Sequence, residues 1–232
     1  MIKFLNVSSG RNGRRAVNQC SLQVRRGEVL SIVGMTASGK SSVLAVLAGR
    51  QRANEGQIIL DGQDVTAAPR KLVARCAYAH DTLNGPGELS AREWVRFWLA
   101  LAGGEDGGSE QRLSNAAKTF QLTPTHEPIE RLSRGERRLW DLARIWASPQ
   151  DVLILDNVSG DLDGHGLALL TAAVKDAVAG GRTIVLAENG PHLPVAVSDR
   201  VLALEKGSVV REMSRTEPGF ESVVAAAQGW AH

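Results

Sequence analysis

The chain has 232 residues, 43% of them hydrophobic, and its 27 lysines and arginines nearly balance its 25 acidic residues, for a formal net charge of +2. A chain of this length can bury a substantial core, so we expect one domain, or one domain with a smaller lobe inserted. The balanced charge gives no argument for a nucleic acid or another polyanion, and we expect no nucleic-acid partner.

The first residues, "IKFLNV", alternate as a strand does and lack the basic start and apolar stretch of a signal peptide. Cys20 and Cys76 lie far apart without metal-ligand spacing, and we expect two small core residues in a reduced, cytosolic compartment. No stretch of the sequence approaches the roughly 20 apolar residues that cross a bilayer. Any work at a membrane would therefore be done from outside the lipid.

Short aliphatic runs alternate with longer helical patterns along the chain. The runs are "VLSIV" ending at Val33, "QIIL" before the turn "DGQD", "VLIL" ending at Leu155, "TIVLA", and "RVLAL" before the turn "EKGS". Continuous apolar strands separated by helices indicate a parallel sheet that is covered on both faces. The sequence therefore predicts an α/β fold.

A phosphate-binding loop follows the "VLSIV" strand and precedes the helical pattern "VLAVLAG". The segment fits G-x-x-x-x-G-K-[ST] at every fixed position, and its residues are Gly34, Met35, Thr36, Ala37, Ser38, Gly39, Lys40, Ser41 and Ser42. The glycines let backbone N–H groups turn inward, and the helix N-terminus adds positive potential. We expect Lys40 to reach the outer phosphates of a nucleotide and the Ser41 hydroxyl to meet Mg²⁺.

The middle of the chain predicts a helical lobe at about residues 85–148, inserted between strands. "SAREWVRFWLALAGG" begins with a capping box, Ser90 with Glu93, and we expect a second helix from about Gln111 to Gln121. No strand is predicted up to Arg131. Four apolar residues lie at helical spacing on one face of the first helix: Trp94, Phe97, Trp98 and Leu101. This stripe is interpreted as core, with a groove for a partner helix as the alternative.

Another buried run ends on a carboxylate, in "VLILDNVSG". Because the magnesium ion of a phosphate-binding loop is held by the loop hydroxyl and an aspartate at the end of a neighbouring strand, we expect Asp156 to face the same ion as Ser41.

The segment before that strand, "LSRGERRLWDLARIWA", resembles the LSGGQ signature of ATP-binding-cassette proteins through Leu132, Ser133, Arg134, Gly135 and Glu136. The order of phosphate loop, helical lobe, "LSRGE", "LILD" and "DLD" is similar to that family over nearly the whole chain. "ELSAREWVRFWLALAG" and "PGFESVVAAAQG" are most similar to the cassettes of drug and glycolipid exporters.

The resemblance implies a P-loop ATPase with a mostly parallel central sheet, an N-terminal antiparallel β part and an inserted helical lobe. It implies Mg²⁺ and ATP as ligands, with two cassettes sandwiching two ATP molecules. Each ATP is then bound by one phosphate loop and capped by the other subunit's signature. Integral membrane transporter subunits would dock on the helical lobe, which places the chain at the cytoplasmic face of the inner (plasma) membrane.

Four positions depart from the family pattern. Asn157 stands where the family has its catalytic glutamate, and an amide cannot accept a proton from water. Counting six residues from Thr183, or ten back from Asp199, puts Asn189 at the place of the switch histidine. His80 replaces the glutamine at the lobe hinge, and Arg11 replaces the aromatic residue that stacks on adenine.

Milder interpretations of these changes stay open. Arg11 can stack its guanidinium on a base, and His80 can contact the metal or a water molecule. His192 can serve as the base if the loop is shifted. Glu188 stands beside Asn189 but is expected to point to the other side of its strand.

We therefore expect a site that holds Mg-ATP with slow or absent hydrolysis, in a heterodimer where "LSRGE" completes the active site of a different cassette. Two alternatives remain. One is a homodimer that hydrolyses ATP slowly; the other is a soluble cassette protein of DNA repair, translation or regulation, a class that usually carries tandem cassettes or long coiled coils, which this sequence lacks.

Overall fold

The computed structural model describes residues 1–11, 14–80, 86–102, 107–123, 125–227 and 229, with only the backbone described at positions 11 and 14. The strands are β1 (Ile2–Arg11), β2 (Arg14–Val24), β3 (Val29–Val33), β4 (Glu55–Leu60), β5 (Gln63–Asp64), β6 (Cys76–Ala79), β7 (Val152–Asp156), β8 (Thr183–Ala187), β9 (Arg200–Glu205) and β10 (Ser208–Ser214). The helices are α1 (Lys40–Leu47), α2 (Arg70–Arg75), α3 (Ala91–Leu101), α4 (Ser109–Thr119), α5 (Arg134–Ala147), α6 (Gly164–Ala179), α7 (His192–Val197) and α8 (Phe220–Ala227), with a 3₁₀ helix at Ile129–Arg131.

The central sheet has the strand order β10-β9-β3-β8-β7-β6. Its neighbouring strands run parallel except at the edge, where β10 pairs antiparallel with β9. A second sheet, ordered β2-β1-β4-β5, contains antiparallel pairs and includes the N-terminal strands. The predicted α/β fold, with a mostly parallel central sheet and an antiparallel N-terminal part, is confirmed.

Both faces of the central sheet are covered, as the continuous aliphatic runs predict. Every residue of β3, β7 and β8 is buried. Side chains alternate along β7: Leu153 and Leu155 join the apolar cluster that includes α5 and α6, and Ile154 joins the cluster that includes α1 and β1. The cysteines, Cys20 and Cys76, are buried and free, and burial raises the pKa of each thiol to about 12.

Some predicted boundaries differ from the structure, among them those of β7 and α4. The strand predicted to end at Leu155 continues through Asp156, because the backbone of Asp156 still pairs with Ala187 of β8. The helix predicted over about 111–121 begins earlier, at Ser109, and ends at Thr119. Within the described ranges, no helix combines the length and the apolar character that crossing a membrane requires.

Helices α3, α4 and α5 follow one another between β6 and β7, at the place where the sequence predicts a helical lobe. The capping box of α3 forms, because the backbone N–H and the hydroxyl of Ser90 both donate to Glu93. The core interpretation of the stripe holds for Trp94, which is 3% exposed, and in part for Trp98. It is wrong for Phe97 and Leu101, which are 37% and 64% exposed.

The exposure of these two residues follows from the packing of α3. Its buried face is formed by Ala91, Trp94, Val95 and Leu99, which turn toward the core. Trp94 forms one edge of that face, and Phe97 lies beyond this edge, outside the face. Leu101 occupies the last position of the helix, where the packing ends.

Candidate functional site

A cavity of about 540 Å³, here called the nucleotide cavity, opens at the carboxyl ends of β3, β7 and β8. This is the edge at which open α/β sheets bind ligands, and the volume is typical of a small-molecule site. It is lined by Arg15, Ala16, Thr36, Ala37, Ser38, Gly39, Lys40, Ser41, Ser42, Asp156, Asn157, Ala187, Asn189, Lys206 and Gly207.

The loop at the start of α1 has the geometry of a phosphate cradle. Gly39 has φ of 103°, and a Cβ at this position would overlap the carbonyl oxygen of Ala16. The N-cap residue of α1, Gly39, has no side chain that could cap the helix, so among the described contacts the backbone donors of the first helical turn stay available beside the cavity. Met35 belongs to the predicted loop, but its side chain is 65% exposed and is not among the described residues that line the cavity.

Lys40 is 8% exposed, and its ammonium group lies within the loop. Its Nζ donates to the carbonyl oxygens of Gly34 at 2.6 Å and Met35 at 3.1 Å. Burial lowers the pKa of the Lys40 ammonium, and the Asp156 carboxylate acts in the opposite direction. A lysine has three N–H donors, so this position fits a further acceptor such as a phosphate oxygen.

The structure brings Ser41 and Asp156 together, as the sequence predicts. Ser41 Oγ donates to Asp156 Oδ1 at 2.9 Å, although 115 residues separate the two. The Asp156 side chain is buried. A hydroxyl and a carboxylate are oxygen ligands of the kind that Mg²⁺ prefers, and magnesium takes few protein ligands because it keeps its own waters. The residues therefore fit a magnesium ion that is shared with phosphates.

Tyr78 was not predicted from the sequence as a member of this site. Its hydroxyl donates to the second carboxylate oxygen, Asp156 Oδ2, at 2.8 Å. Tyr78 lies on β6 opposite Ile154 of the parallel strand β7, two residues before Asp156. The sequence offered one signal for this role, because tyrosine is the polar aromatic residue of a short segment, "CAYA", whose other residues are apolar.

The two asparagines at the predicted catalytic positions, Asn157 and Asn189, both line the nucleotide cavity. Asn157 has φ of 51°, and its N–H donates to the Ala187 carbonyl at 2.7 Å. Asparagine is enriched among the non-glycine residues that adopt this left-handed conformation. His192 begins α7 and is not among the described residues around the cavity.

Glu188 is 1% exposed and faces the segment that follows β7. Its Oε1 accepts from the N–H groups of Val158 at 3.1 Å and Ser159 at 3.3 Å, and its Oε2 accepts from Ser159 Oγ at 2.6 Å. Glu188 is not one of the described residues that line the nucleotide cavity, in keeping with the expectation that it points away. Burial raises the pKa of this carboxyl to about 7, although the three hydrogen bonds oppose the rise.

This buried carboxyl should make stability depend on pH. Its pKa rises from 4.5 in the unfolded chain to about 7, so the folded protein holds more protons between these values and loses stability as pH rises through the window. Glu188→Gln removes the carboxyl group that titrates, and the amide oxygen of the glutamine can still accept from the Val158 N–H. We expect the free energy of unfolding of the wild type to fall by about 2.5 kcal/mol more than that of the variant between pH 5 and pH 8.

Urea denaturation at the two pH values measures this difference, with Glu205→Gln as a control at an exposed glutamate. Equal losses of stability in the wild type and in Glu188→Gln would show that Glu188 does not titrate in this range.

The five predicted signature residues lie at the start of α5. Ser133 is the N-cap, and its Oγ accepts from Glu136 N at 3.2 Å. The Ser133 backbone N–H and hydroxyl donate to Glu136 Oε2, which holds the pKa of Glu136 below its usual value. Ser133, Arg134 and Glu136 are exposed. Among the described residues, the lining of the nucleotide cavity includes none of the five.

Arg138 is a buried charge on α5 that the sequence analysis missed. It is 1% exposed, and its Nη1 donates to the His80 carbonyl at 2.7 Å. Its guanidinium also contacts Asp141 at 3.4 Å and Asp161 at 3.3 Å. Arg138 therefore ties the signature helix to the end of β6 and to the loop after β7.

A second cavity, of about 270 Å³, is here called the groove, and its lining includes Arg50, His80, Trp94, Trp98, Asp141 and Arg144 together with Tyr78. The Arg144 guanidinium lies 5.8 Å from the Trp94 ring centroid and 5.7 Å from that of Trp98, in reach of cation–π contact. His80 is exposed here and lines the groove. Its contact with a metal stays a prediction, and the side chain of Arg11 lies outside the described residues.

Known protein families and individual proteins resemble this chain in sequence. The family model described as "ABC transporter" matches residues 17–159. A cytochrome c biogenesis ATP-binding export protein of Rhodospirillum rubrum is 34% identical over 196 residues, which cover 83% of this chain and 81% of that protein. A methionine import ATP-binding protein of Caulobacter vibrioides is 30% identical over 227 residues, and the matched region covers 91% of this chain and 66% of that protein.

Similarity extends to a cell division ATP-binding protein of Bacillus subtilis, 25% identical over 90% of this chain and 93% of that protein. Among solved structures, a dimeric ATP-binding cassette with ADP and Pi in a post-hydrolysis state superposes with a TM-score of 0.83 at 23% identity, covering 94% of this chain and 100% of that one. The predicted P-loop cassette fold is confirmed by this superposition.

Proposed function

Since the chain belongs to the ABC transporter family of ATP-binding proteins, we propose that it is the nucleotide-binding subunit of an ATP-driven membrane transporter, with an impaired hydrolytic site of its own. It binds Mg-ATP through residues 34–42 and Asp156. Its signature completes the active site of a different cassette subunit. The complex is an exporter, and this subunit works at the cytoplasmic face of the membrane.

The proposal depends on one observation: the residues that fit phosphate and magnesium line the same cavity as two asparagine side chains. Lys40, Ser41 and Asp156 meet there in an arrangement that fits phosphate and magnesium. Asn157 and Asn189 line the same cavity at the positions where the family has a base and a histidine. An amide oxygen accepts hydrogen bonds but is a very weak base, so neither asparagine takes a proton from an attacking water.

The position of the signature supports a role toward another subunit. Ser133 and its neighbours are exposed at the N-terminus of α5, where a helix end attracts an anion such as a γ-phosphate. In the proposed dimer that phosphate belongs to ATP on the partner's loop. We propose residues 85–148 as the helical subdomain that carries both the signature and the surface for the membrane subunits.

The direction of transport rests on the sequence of the lobe and of the tail. Because the relatives include an export protein and an import protein, their names do not favour one direction. The test of the subunit composition is to purify the native membrane complex and to count its distinct chains. Two different cassette chains are expected. One kind of cassette chain, present twice, would contradict the heterodimer and favour the slow homodimer.

We also propose that the groove receives a short cytoplasmic helix of a membrane subunit. Its walls include the partly buried Trp98, which packs on the buried Trp94, and the positive charge of Arg50. Aromatic and arginine side chains are the types that dominate binding at interfaces, and a helix laid in an apolar groove is a common recognition mode.

Arg50→Glu should therefore weaken attachment to the membrane by about tenfold, because truncation or reversal of a contact of this type costs about 1 to 2 kcal/mol. Arg50 is exposed, so the fold and ATP binding should be unchanged. Sedimentation of membranes that contain the transporter measures the bound fraction. Arg52→Glu, an exposed neighbour that is not among the described residues of the groove, is the matched control. Equal binding by both variants would contradict the docking site.

A further inference from the structure

Tyr78 stands between the two cavities. Its side chain lines the groove, and its hydroxyl donates to Asp156 Oδ2, an atom of a residue that lines the nucleotide cavity. The ring meets the His80 ring edge to face, with centroids 5.8 Å apart. One half-buried side chain therefore contacts the groove and the carboxylate that is proposed for magnesium.

The strand register explains why tyrosine reaches this carboxylate. Tyr78 pairs with Ile154 on the adjacent parallel strand, and Asp156 lies two residues farther along on the same face. Long aromatic side chains span the diagonal distance between such neighbours. A phenylalanine at this position would fill the same space without contacting Asp156, so packing alone does not require the hydroxyl.

The two carboxylate oxygens of Asp156 have different partners. Oδ1 accepts from Ser41 Oγ at 2.9 Å, and Oδ2 accepts from Tyr78 at 2.8 Å. A carboxylate whose one oxygen accepts a hydrogen bond cannot rotate about the Cβ–Cγ bond of the aspartate without losing that contact. The Tyr78 hydroxyl therefore keeps Oδ1 turned toward Ser41, the other proposed magnesium ligand.

We propose that Tyr78 is a positioning residue that fixes the orientation of Asp156 and thereby sets the affinity of the nucleotide site for Mg²⁺. The inference rests on the proposed nucleotide site. Groups that hold a metal-binding side chain in place typically change metal affinity 10- to 100-fold when they are removed. Because Ser41 and the phosphates of the nucleotide remain, we expect the lower end of this range.

The experiment compares the wild-type chain with Tyr78→Phe, which keeps the ring and removes one oxygen. A fluorescent ATP analogue is titrated with Mg²⁺, and its binding is also measured in EDTA. We expect the half-saturating Mg²⁺ concentration to rise about tenfold in the variant, while binding in EDTA stays unchanged. Thr171→Ala is the control, because it removes a hydroxyl that bonds only within α6 among the described contacts.

Equal Mg²⁺ dependence in the wild type and in Tyr78→Phe would overturn the inference and leave the nucleotide site standing. Failure of the wild type to bind the analogue would instead overturn the proposed function. A second measurement does not need the variant to fold. The sequence contains one tyrosine, so labelling with 3-fluorotyrosine gives a single ¹⁹F resonance that reports on Tyr78. This resonance should shift when Mg²⁺ is added to the ATP complex, and an unmoved resonance would overturn the inference.

Discussion

Lys40→Ala is expected to weaken the binding of Mg-ATP by about 10- to 100-fold, the largest effect of any single substitution on nucleotide binding. The ammonium is buried within the loop and is held by two carbonyl oxygens, so its charge is already fixed within the loop that is proposed to bind the outer phosphates. A hydrogen bond to a charged group contributes about 1.5 to 3 kcal/mol, and each 1.4 kcal/mol changes an affinity tenfold. Alanine removes this contact together with the positive charge.

Equilibrium titration of the purified chain with ATP and Mg²⁺ measures the change. Lys118→Ala is the control, because Lys118 is an exposed lysine on α4 and is not among the described residues of the nucleotide cavity. Circular dichroism establishes that both variants are folded. Unchanged ATP affinity in folded Lys40→Ala would show that the loop at 34–42 is not the nucleotide site.

The second large effect concerns hydrolysis. The purified wild-type chain should bind Mg-ATP and turn it over far below the range of 1 to 10³ per second that is usual for enzymes. Positioning of a general base contributes about 10²- to 10⁴-fold, and the described lining of the cavity offers amides at both expected positions.

Asn157→Glu alone should recover little activity, for two reasons. Water positioning also needs the group at position 189, and residues that act as a unit have non-additive effects. Position 157 has a left-handed backbone, which side chains other than asparagine and aspartate adopt at a cost of roughly 1 to 2 kcal/mol. The double variant Asn157→Glu with Asn189→His is expected to hydrolyse ATP faster than either single variant.

Single-turnover assays on the isolated chain and steady-state assays on the whole complex measure these rates. In the complex, Ser133→Ala should reduce ATP turnover more than Asn157→Ala does, because Ser133 serves the partner's site in the proposed dimer. Brisk hydrolysis by the isolated wild-type chain that survives substitution of His80, His192 and Glu188 would contradict the impaired site.

The sequence was sufficient for the four strands β9, β3, β8 and β7 of the central sheet and for the centre of the site, but the outer strands β10 and β6 were not predicted. Aliphatic runs such as "VLILD" predicted strands because burial on both faces needs apolar residues at every position. The pairing of Ser41 with Asp156 was predictable because the carboxyl ends of parallel strands meet at one edge of the sheet, although β8 lies between β3 and β7 where the sequence predicted neighbouring strands. Both inferences use local patterns of a kind that many proteins share.

The missed residues depend on contacts that no local pattern encodes. Tyr78 is 78 residues from Asp156, and Arg138 is 58 residues from the His80 carbonyl. Helical or strand periodicity predicts which face a side chain occupies, but it does not predict its partner on another element.

The buried guanidinium of Arg138 has a mechanical consequence. It holds the first half of α5 to the end of β6 and to Asp161, so a rotation of the helical lobe that preserves these bonds must pivot close to Arg138. Displacement in such a rotation grows with distance from the pivot. Ser133 lies little more than one helical turn away and moves little. Ala147, at the other end of α5, lies farther from Arg138 than Ser133 does, and the same rotation carries that end of the helix farther.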